Sequence, residues 1–445
     1  MPRSAAAAAG LALRFRGRLA DLAPADRTAL FDRTTTNDEA VRDQVAAILD
    51  AVRAMGDEAL RGLAAELDGV VLAELEVPRA EWTRALDALD PALRAALDRA
   101  VANITTVHEA FRPVPQEVQV APGLVVGRRP DPLDRVGVYA PGGRAAYPSS
   151  LLMGVVPARI AGVREVIVCS PPARHTKRPL DVVLAAAALG GADRVFSLGG
   201  AGAVAAMAYG TPTVPRVQRI VGPGNAWVAE AKVQVANTVA IDSPAGPSEL
   251  LVLADDTADP SAVARELCAQ AEHDPKACVV AVVRSATFAA KLIDVLGVLA
   301  TAQPRAGIVI EALASAGGVL VAESLDEQVT FANDYAAEHL QLQCADAGPM
   351  LARLKNAGTV FVGASASVAF GDYMTGANHV LPTGGLARSF SGLSTLDFVR
   401  WTTWQTVSPT AARALAEPVG LFADAEGLPG HAAAARAWGG AGGGA

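Results

Sequence analysis

RVGVYAP (135–141), LLMGVVPARIAG (151–162), VREVIVCSPP (163–172), PLDVVLAAAALGGA (179–192) and DRVFSLGGAG (193–202) follow one another along the chain. Short apolar runs rich in Val and Ile alternate with helix-length, Ala- and Leu-rich segments, the pattern of βαβ units around a parallel sheet. A second series starts at SELLVLAD (248–255) and runs through DPSAVARELCAQAEHD (259–274), ACVVAVV (277–283), GVLVAES (318–324) and AGTVFVG (357–363), which predicts a second α/β lobe. Upstream, residues 37–110 repeat apolar residues at threes and fours and read as helices approaching the first sheet. Downstream of Gly392, LDFVRWTTWQTV (396–407), TAARALAEPVGLFADAEG (410–427) and HAAAARAW (431–438) read as mainly helical pieces, too small for a core of their own.

The 445 residues exceed what one hydrophobic core organises, so the α/β class with two principal lobes is expected. A net charge of −8 gives no broad basic face for nucleic acid, and no apolar run reaches the ~18 residues of a membrane span. Four cysteines without CxxC spacing are too few for a disulfide framework and fit a reducing cytoplasm. The start, MPRSAAAAAGLALRFRGRLA, has a basic and apolar flavour, but Arg14, Arg16 and Arg18 interrupt it and no AxA-like cleavage site follows. It is expected to be a flexible extension, as is the GGAGGGA stretch at 439–445.

Of six histidines, His273, His339, His379 and His431 lie beside other polar, chemically capable residues. Asp259-Pro260-Ser261 opens a predicted helix that carries Gln270 and, at i+3, His273 on one face. Asp372 and His379 share the glycine-containing segment FGDYMTGANHVLP (370–382), and Glu426 and His431 share AEGLPGH (425–431). A mixed nitrogen and oxygen set of Gln270, His273, Asp372 and His431 would suit zinc. Unrelated surface and core polar residues would read the same way. Glu338-His339 falls at a helix-to-strand junction, where an imidazole suits proton removal from an alcohol and a carboxylate suits activation of water. An exposed Glu beside a helix-terminal His is the plainer alternative. Gly200, Gly202 and Ala205 make a GxGxxA arrangement that would cradle a pyrophosphate or simply allow close helix packing. GPGNAWVAEAK (222–232) and PAGPSE (244–249) are further Gly/Pro turns. Cys169, in IVCSPP, invites a thiohemiacetal role but has no base or cation beside it in sequence, and filling an apolar strand is the favoured reading.

Across roughly Asn37 to Trp438 the sequence resembles the histidinol dehydrogenase family. The resemblance rests on PLDRVGVYAPGG, PARIAGVREVIVCSPP, VGPGNAWVAEAK, IDSPAGPSE, CAQAEH, AAEHLQL, GDYMTGANHVLPTGG and EGLPGH, in that order. It implies zinc held by Gln270, His273, Asp372 and His431, with the substrate's imidazole and amino nitrogens completing the coordination. It implies His339 as general base for the alcohol proton and Glu338 as activator of the water that attacks the aldehyde. Ser248, His379 and Glu426 match substrate-holding positions, alongside Gln270, His273, His339, Asp372 and His431. Tyr139 and Asn225 match contacts to NAD; at a third such position the family usually has Gln and this chain has Gly202. The implied reaction takes L-histidinol through L-histidinal to L-histidine with two NAD, in histidine biosynthesis. The implied fold is two incomplete Rossmann-like lobes: 37–137 with 249–392, carrying zinc and the catalytic residues, and 138–248, carrying the nucleotide contacts. An extension precedes them over 1–36. A helical tail over 393–445 is exchanged between the subunits of a homodimer. The alternatives are a paralogue oxidising another polar primary alcohol, a zinc hydrolase that uses Glu338 on metal-bound water, and a catalytically silent ligand-binding homologue.

Overall fold

Every residue of ELLVLA (249–254) is buried, as expected for a strand covered on both faces of a parallel sheet. The computed structural model of the chain describes residues 11–33, 38–142 and 146–440. Numbered in chain order, the strands are β1 (Phe15–Arg18), β2 (Gln116–Ala121), β3 (Leu124–Pro132), β4 (Arg135–Tyr139), β5 (Glu165–Ser170), β6 (Arg194–Ser197) and β7 (Arg219–Val221). They continue with β8 (Ala240–Ile241), β9 (Glu249–Ala254), β10 (Cys278–Val283), β11 (Gly318–Val321), β12 (His339–Gln343), β13 (Thr359–Val362) and β14 (Val399–Val407).

Two all-parallel sheets organise the larger compact unit, residues 1–111 and 134–398. One has the order β6-β5-β4-β7-β8 and the other β1-β11-β10-β9-β12-β13. Apart from β1 the two orders are the same, with the first strand of each series at the centre and the fourth on its far side. The protein is therefore an α/β chain with two incomplete Rossmann-like lobes. In the six-stranded lobe the side chains alternate as a period of two demands. Leu250 and Val252 pack with helices Pro260–Ala271, Ala286–Ala302 and Ala306–Ala316, while Leu251 and Leu253 pack with Leu30 and helix Leu325–Tyr335.

Three expectations need correction. The helices between 39 and 110 were placed with the lobe at 249–392, but Val45, Leu49, Val52, Leu60 and Leu75 share one core with Ile167, Phe196 and Val204 of the five-stranded lobe. The 137/138 boundary falls inside β4, which begins at Arg135. Part of the presumed extension over 1–36 is built into the fold: Phe15 is buried on β1, which pairs with β11, and Leu30 is buried beneath the sheet. Thr34 to Asn37, the first ten residues and most of the GGAGGGA stretch lie outside the described residues.

The smaller unit comprises residues 112–133 and 399–445. Of LDFVRWTTWQTV only Leu396–Phe398 are helical, ending a 3-10 turn that starts at Thr395; Val399–Val407 form β14, which is antiparallel to β3, as β3 is to β2. Apolar residues at 398, 401, 404 and 407 mimic a helical spacing, but a run of Val, Thr and Trp favours the pleated conformation. Helices Pro409–Ala425 and Pro429–Arg436 follow, joined by Arg436 to Glu417 and Asp424. Among the described residues no helix is long and apolar enough to cross a membrane.

Candidate active site

Helix Leu325–Tyr335 stops because Ala336 adopts a left-handed conformation at φ 52°, which turns the chain into β12 and delivers Glu338 and His339 at the amino end of that strand. Glu249 opens the adjacent β9. Each of the two glutamates accepts from the other's backbone: Glu249 N–H donates to Glu338 Oε2 at 2.8 Å, and Glu338 N–H to Glu249 Oε2 at 3.3 Å. His339 Nδ1 lies 3.0 Å from the carbonyl oxygen of Glu249. A carbonyl only accepts, so Nδ1 carries a hydrogen, and in its neutral form the ring presents its lone pair at Nε2. Nδ1 is also 3.4 Å from Glu338 Oε2. Nε2 is buried and has no hydrogen-bond partner among the described residues, with Asp372 Oδ1 at 3.5 Å, an ion-pair distance rather than a hydrogen bond.

Asp372 comes from the short helix Val368–Tyr373, and the loop after it turns at Gly376. With φ at +86° and an added Cβ only 2.4 Å from the Asn103 carbonyl oxygen, that position admits glycine alone. The turn brings His379 back, its Nδ1 donating to the Asp372 carbonyl at 2.7 Å and its Nε2 accepting from the Ser150 hydroxyl at 3.2 Å. Asn378 donates to the Met153 carbonyl at 2.8 Å, so the loop is fastened to helix Pro148–Ala161 of the other lobe. His339, Asp372 and His379 line one small cavity with Phe361, whose ring stacks on that of His339.

Electrostatics follow the geometry. Burial works against a charge on His339, but Glu338 and Asp372 outweigh it and raise its pKa to about 10. Burial alone would raise Asp372; His339, His379 and His273 around it hold its carboxyl below the ordinary range instead. His379 is lowered by burial, against the pull of Asp372.

Asp259 caps helix Pro260–Ala271 by accepting from Ser261 N–H, as the sequence predicts, and Gln270 and His273 sit at its far end. Gln270 is buried, and its side-chain amide has no hydrogen-bond partner among the described residues. Among those residues no three His, Cys, Asp or Glu side chains converge to hold a metal ion by themselves. The donor chemistry nevertheless fits zinc: the side-chain amide of a buried glutamine, and an imidazole close enough to lower the Asp372 carboxyl. Glu426 and His431, the remaining expected members, are exposed residues of the smaller unit, at the end of one helix and the start of the next. Ser248 immediately precedes β9, and its carbonyl accepts from Cys278 N–H.

The expected nucleotide residues gather at the carboxyl ends of the five-stranded sheet. Tyr139 ends β4; its hydroxyl accepts from Gly200 N–H at 3.1 Å, and burial raises its pKa to about 12. Asn225 caps helix Ala226–Val235 through Val228 N–H. Gly202, third residue of helix Gly200–Tyr209, turns its α-carbon toward Leu63 and Leu60 rather than outward. The outward member of GxGxxA is Gly200, with open space where a Cβ would stand. The helix N-terminus that Gly200 opens suits a pyrophosphate. Cys169 is fully buried on β5, its thiol pushed well up by burial, which is the strand-filling role.

A family model described as histidinol dehydrogenase matches residues 31–438. The chain belongs to the histidinol dehydrogenase family. It is 52% identical over 416 residues to the histidinol dehydrogenase of Halobacterium salinarum, covering 93% of this chain and 97% of that one. Against that of Dechloromonas aromatica it is 42% identical over 416 residues, covering 92% and 95%. The crystal structure of histidinol dehydrogenase from Elizabethkingia anophelis superposes with a TM-score of 0.91 at 30% identity, covering 96% of this chain and 98% of the other. As a histidinol dehydrogenase family member the chain is an oxidoreductase that acts on an alcohol and then on an aldehyde. That sets aside the hydrolase reading.

Sequence reasoning did not assign Glu249, Arg33 or Ser150. The legible signal for Glu249 is a lone carboxylate at the head of an otherwise apolar strand; Arg33 and Ser150 carry none.

Proposed function

We propose that the chain oxidises L-histidinol through L-histidinal to L-histidine, with zinc and two equivalents of NAD, in histidine biosynthesis. The observation that carries this reading is a single one: His339 is fixed with its hydrogen on Nδ1 and its Nε2 aimed at Asp372, beside Glu338. When bound, zinc would hold the substrate's nitrogens through Gln270, His273, Asp372 and His431, and NAD would take one hydride in each oxidation. The work of the protein's own residues is proton handling and orientation. His339 Nε2 receives the hydroxyl proton of the alcohol. Glu338 takes a proton from the water that adds to the aldehyde, and its Oε2 is kept in place by the Glu249 N–H. Ser248 and His379 border the space for substrate.

The lobe at 249–392 thus supplies zinc and acid–base groups, and the lobe at 138–248 supplies NAD contacts through Tyr139, Asn225 and the segment around Gly202. Glu426 and His431 complete the site of a second copy, so that the functional protein is a homodimer with exchanged tails; their exposure and that of Phe422, Leu428 and Trp438 support this. Four free cysteines support a reducing, cytoplasmic setting. The test is NADH production by metal-replete protein given L-histidinol, L-histidinal or other polar alcohols, for the unsubstituted chain and Glu338→Gln. The expected outcome is two NADH per histidinol, with Glu338→Gln losing more on histidinal than on histidinol. Equal, mild losses on both substrates would sink the assignment of Glu338, and a preference for another alcohol would favour the paralogue reading.

A further inference from the structure

We infer that Arg33 and Glu249 form a buried positioning pair that sets the rotamer of Glu338 and the tautomer of His339. The inference rests on the acid–base roles proposed for those two residues. Glu249 spends both of its backbone groups on them, its N–H on Glu338 Oε2 and its carbonyl on His339 Nδ1. A small displacement of the first residue of β9 therefore moves the water-activating carboxylate and the imidazole together.

What holds Glu249 is its own carboxylate. Oε1 accepts from Arg33 Nε at 2.8 Å and from Gly384 N–H at 2.7 Å, while Oε2 accepts from Glu338 N–H. Arg33 in turn donates through Nη2 to the Tyr335 carbonyl at 2.6 Å and lies 3.5 Å from the centre of the Tyr335 ring. Tyr335 is the last residue of the helix that leads into Glu338. One ion pair thus ties the head of β9, the entrance to β12 and, through Gly384, the segment that carries Asp372 and His379. The side chains of Arg33 and Glu249 are 4% and 2% exposed. Burying an ion pair seldom improves stability over an apolar pair of the same volume, so stability alone gives this chain little reason to keep it. A positioning role does give one, because the groups it orients are themselves charged and the chemistry needs them within a fraction of an ångström.

The experiment is a double-mutant cycle on the metal-replete enzyme with L-histidinal and NAD: Arg33→Met, Glu338→Gln, and the two together, with kcat, KM, zinc content and thermal stability measured for each. Arg33→Met is expected to lower kcat about tenfold or more while leaving the KM for histidinal within about twofold and the zinc content unchanged. In the Glu338→Gln background the same substitution is expected to cost severalfold less, because the group it orients no longer acts. Arg33→Lys, which keeps the charge but loses the ring contact and the second donor, should recover part of kcat; if Arg33→Met does not fold, Arg33→Lys replaces it in the cycle. Multiplicative losses across the cycle, or a loss of thermal stability with kcat untouched, would overturn the positioning role. A Glu338→Gln enzyme with full activity would instead overturn the acid–base assignment beneath it, so the two failures are told apart.

Discussion

The two lobes share a strand order, and the candidate residues of each lie at opposite ends of it. In the five-stranded lobe the central pair β4 and β7 presents its carboxyl ends: Tyr139 finishes one strand, and Gly222 follows the other so closely that a Cβ there would stand 2.1 Å from the Tyr139 carbonyl oxygen. In the six-stranded lobe the equivalent pair β9 and β12 presents its amino ends, with Glu249, Glu338 and His339. The physical settings differ accordingly. Helices begin at the carboxyl ends of parallel strands, so backbone N–H groups and positive dipole ends gather there and anions are welcome. Helices finish at the amino ends, where carbonyls gather and buried carboxylates have no such help. Glu249 and Glu338 are held there by Arg33, by His339 and by one another's backbone. Arg33 also satisfies the last carbonyl of the arriving helix. A nucleotide's phosphates suit the first environment; a proton-transfer pair, which needs opposed charges in a dry space, suits the second.

The largest effect expected from this division is at the amino ends. His339→Asn keeps a side-chain donor toward the Glu249 carbonyl but removes the proposed base, and kcat on histidinol should fall by about 10²–10⁴-fold, the usual worth of a positioned acid–base group. The KM for NAD should not change. Steady-state kinetics with both substrates varied decide it, and a raised KM for NAD with kcat nearly intact would erase the distinction between the two ends.

Next in size is Gly222→Ala, which attacks the carboxyl ends. Its φ of +113° and the 2.1 Å approach to Tyr139 make this position one where any side chain forces β4 and β7 apart. A loss of stability of about 2–4 kcal/mol is expected, in the range of strain and overpacking combined. Chemical denaturation would measure it. The folded fraction should show a weakened KM for NAD while zinc content per folded chain is unchanged. Loss of zinc together with NAD affinity would mean that the two ends are not independent.

How much of this was legible in the sequence depended on whether the signal was local. The strands β5 and β9 announce themselves as apolar runs, and Gln270 and His273 fall together because helical spacing is a local property. Glu338 and His339 are neighbours in sequence, so their pairing required only the junction between helix and strand. Arg33 is different: it meets Glu249 across 216 residues, and nothing around it in sequence is periodic. β1 was obscured by its position, since an edge strand carries exposed arginines on its outer face and buries only Phe15. β14 was obscured by an apolar spacing of three over residues 398–407, which Trp and Thr resolve in favour of a strand only once β3 is there to pair with it. Gly202 left two readings open, cofactor contact or helix packing, since a glycine pattern records that a side chain is absent and not which way the α-carbon faces.

The smallest effect tests that last point. Gly202 lies in the first turn of helix Gly200–Tyr209, and a Cβ there would meet Leu63 Cδ1 at 3.0 Å and Leu60 Cδ2 at 3.6 Å. Alanine in place of glycine should gain up to about 1 kcal/mol of helix propensity. Against this stands an overpacking cost of about 1 kcal/mol, at the low end of its range because the terminal methyl of Leu63 is free to shift by a few tenths of an ångström. The two nearly cancel, so Gly202→Ala should unfold within about 1 kcal/mol of the unsubstituted chain. If Gly202 serves helix packing, as its direction indicates, the KM for NAD should also stay within about twofold. A glycine that lets the backbone approach a pyrophosphate behaves otherwise: a methyl there intrudes on the cofactor, and the KM for NAD should rise tenfold or more with stability unaffected. Gly200→Ala provides the contrast, since its Cβ enters open space beside the helix N-terminus but its φ of +59° adds strain. Titration of NAD against both variants therefore decides which glycine of the GxGxxA arrangement faces the nucleotide, and a large effect at Gly202 with none at Gly200 would reverse the assignment made from their directions.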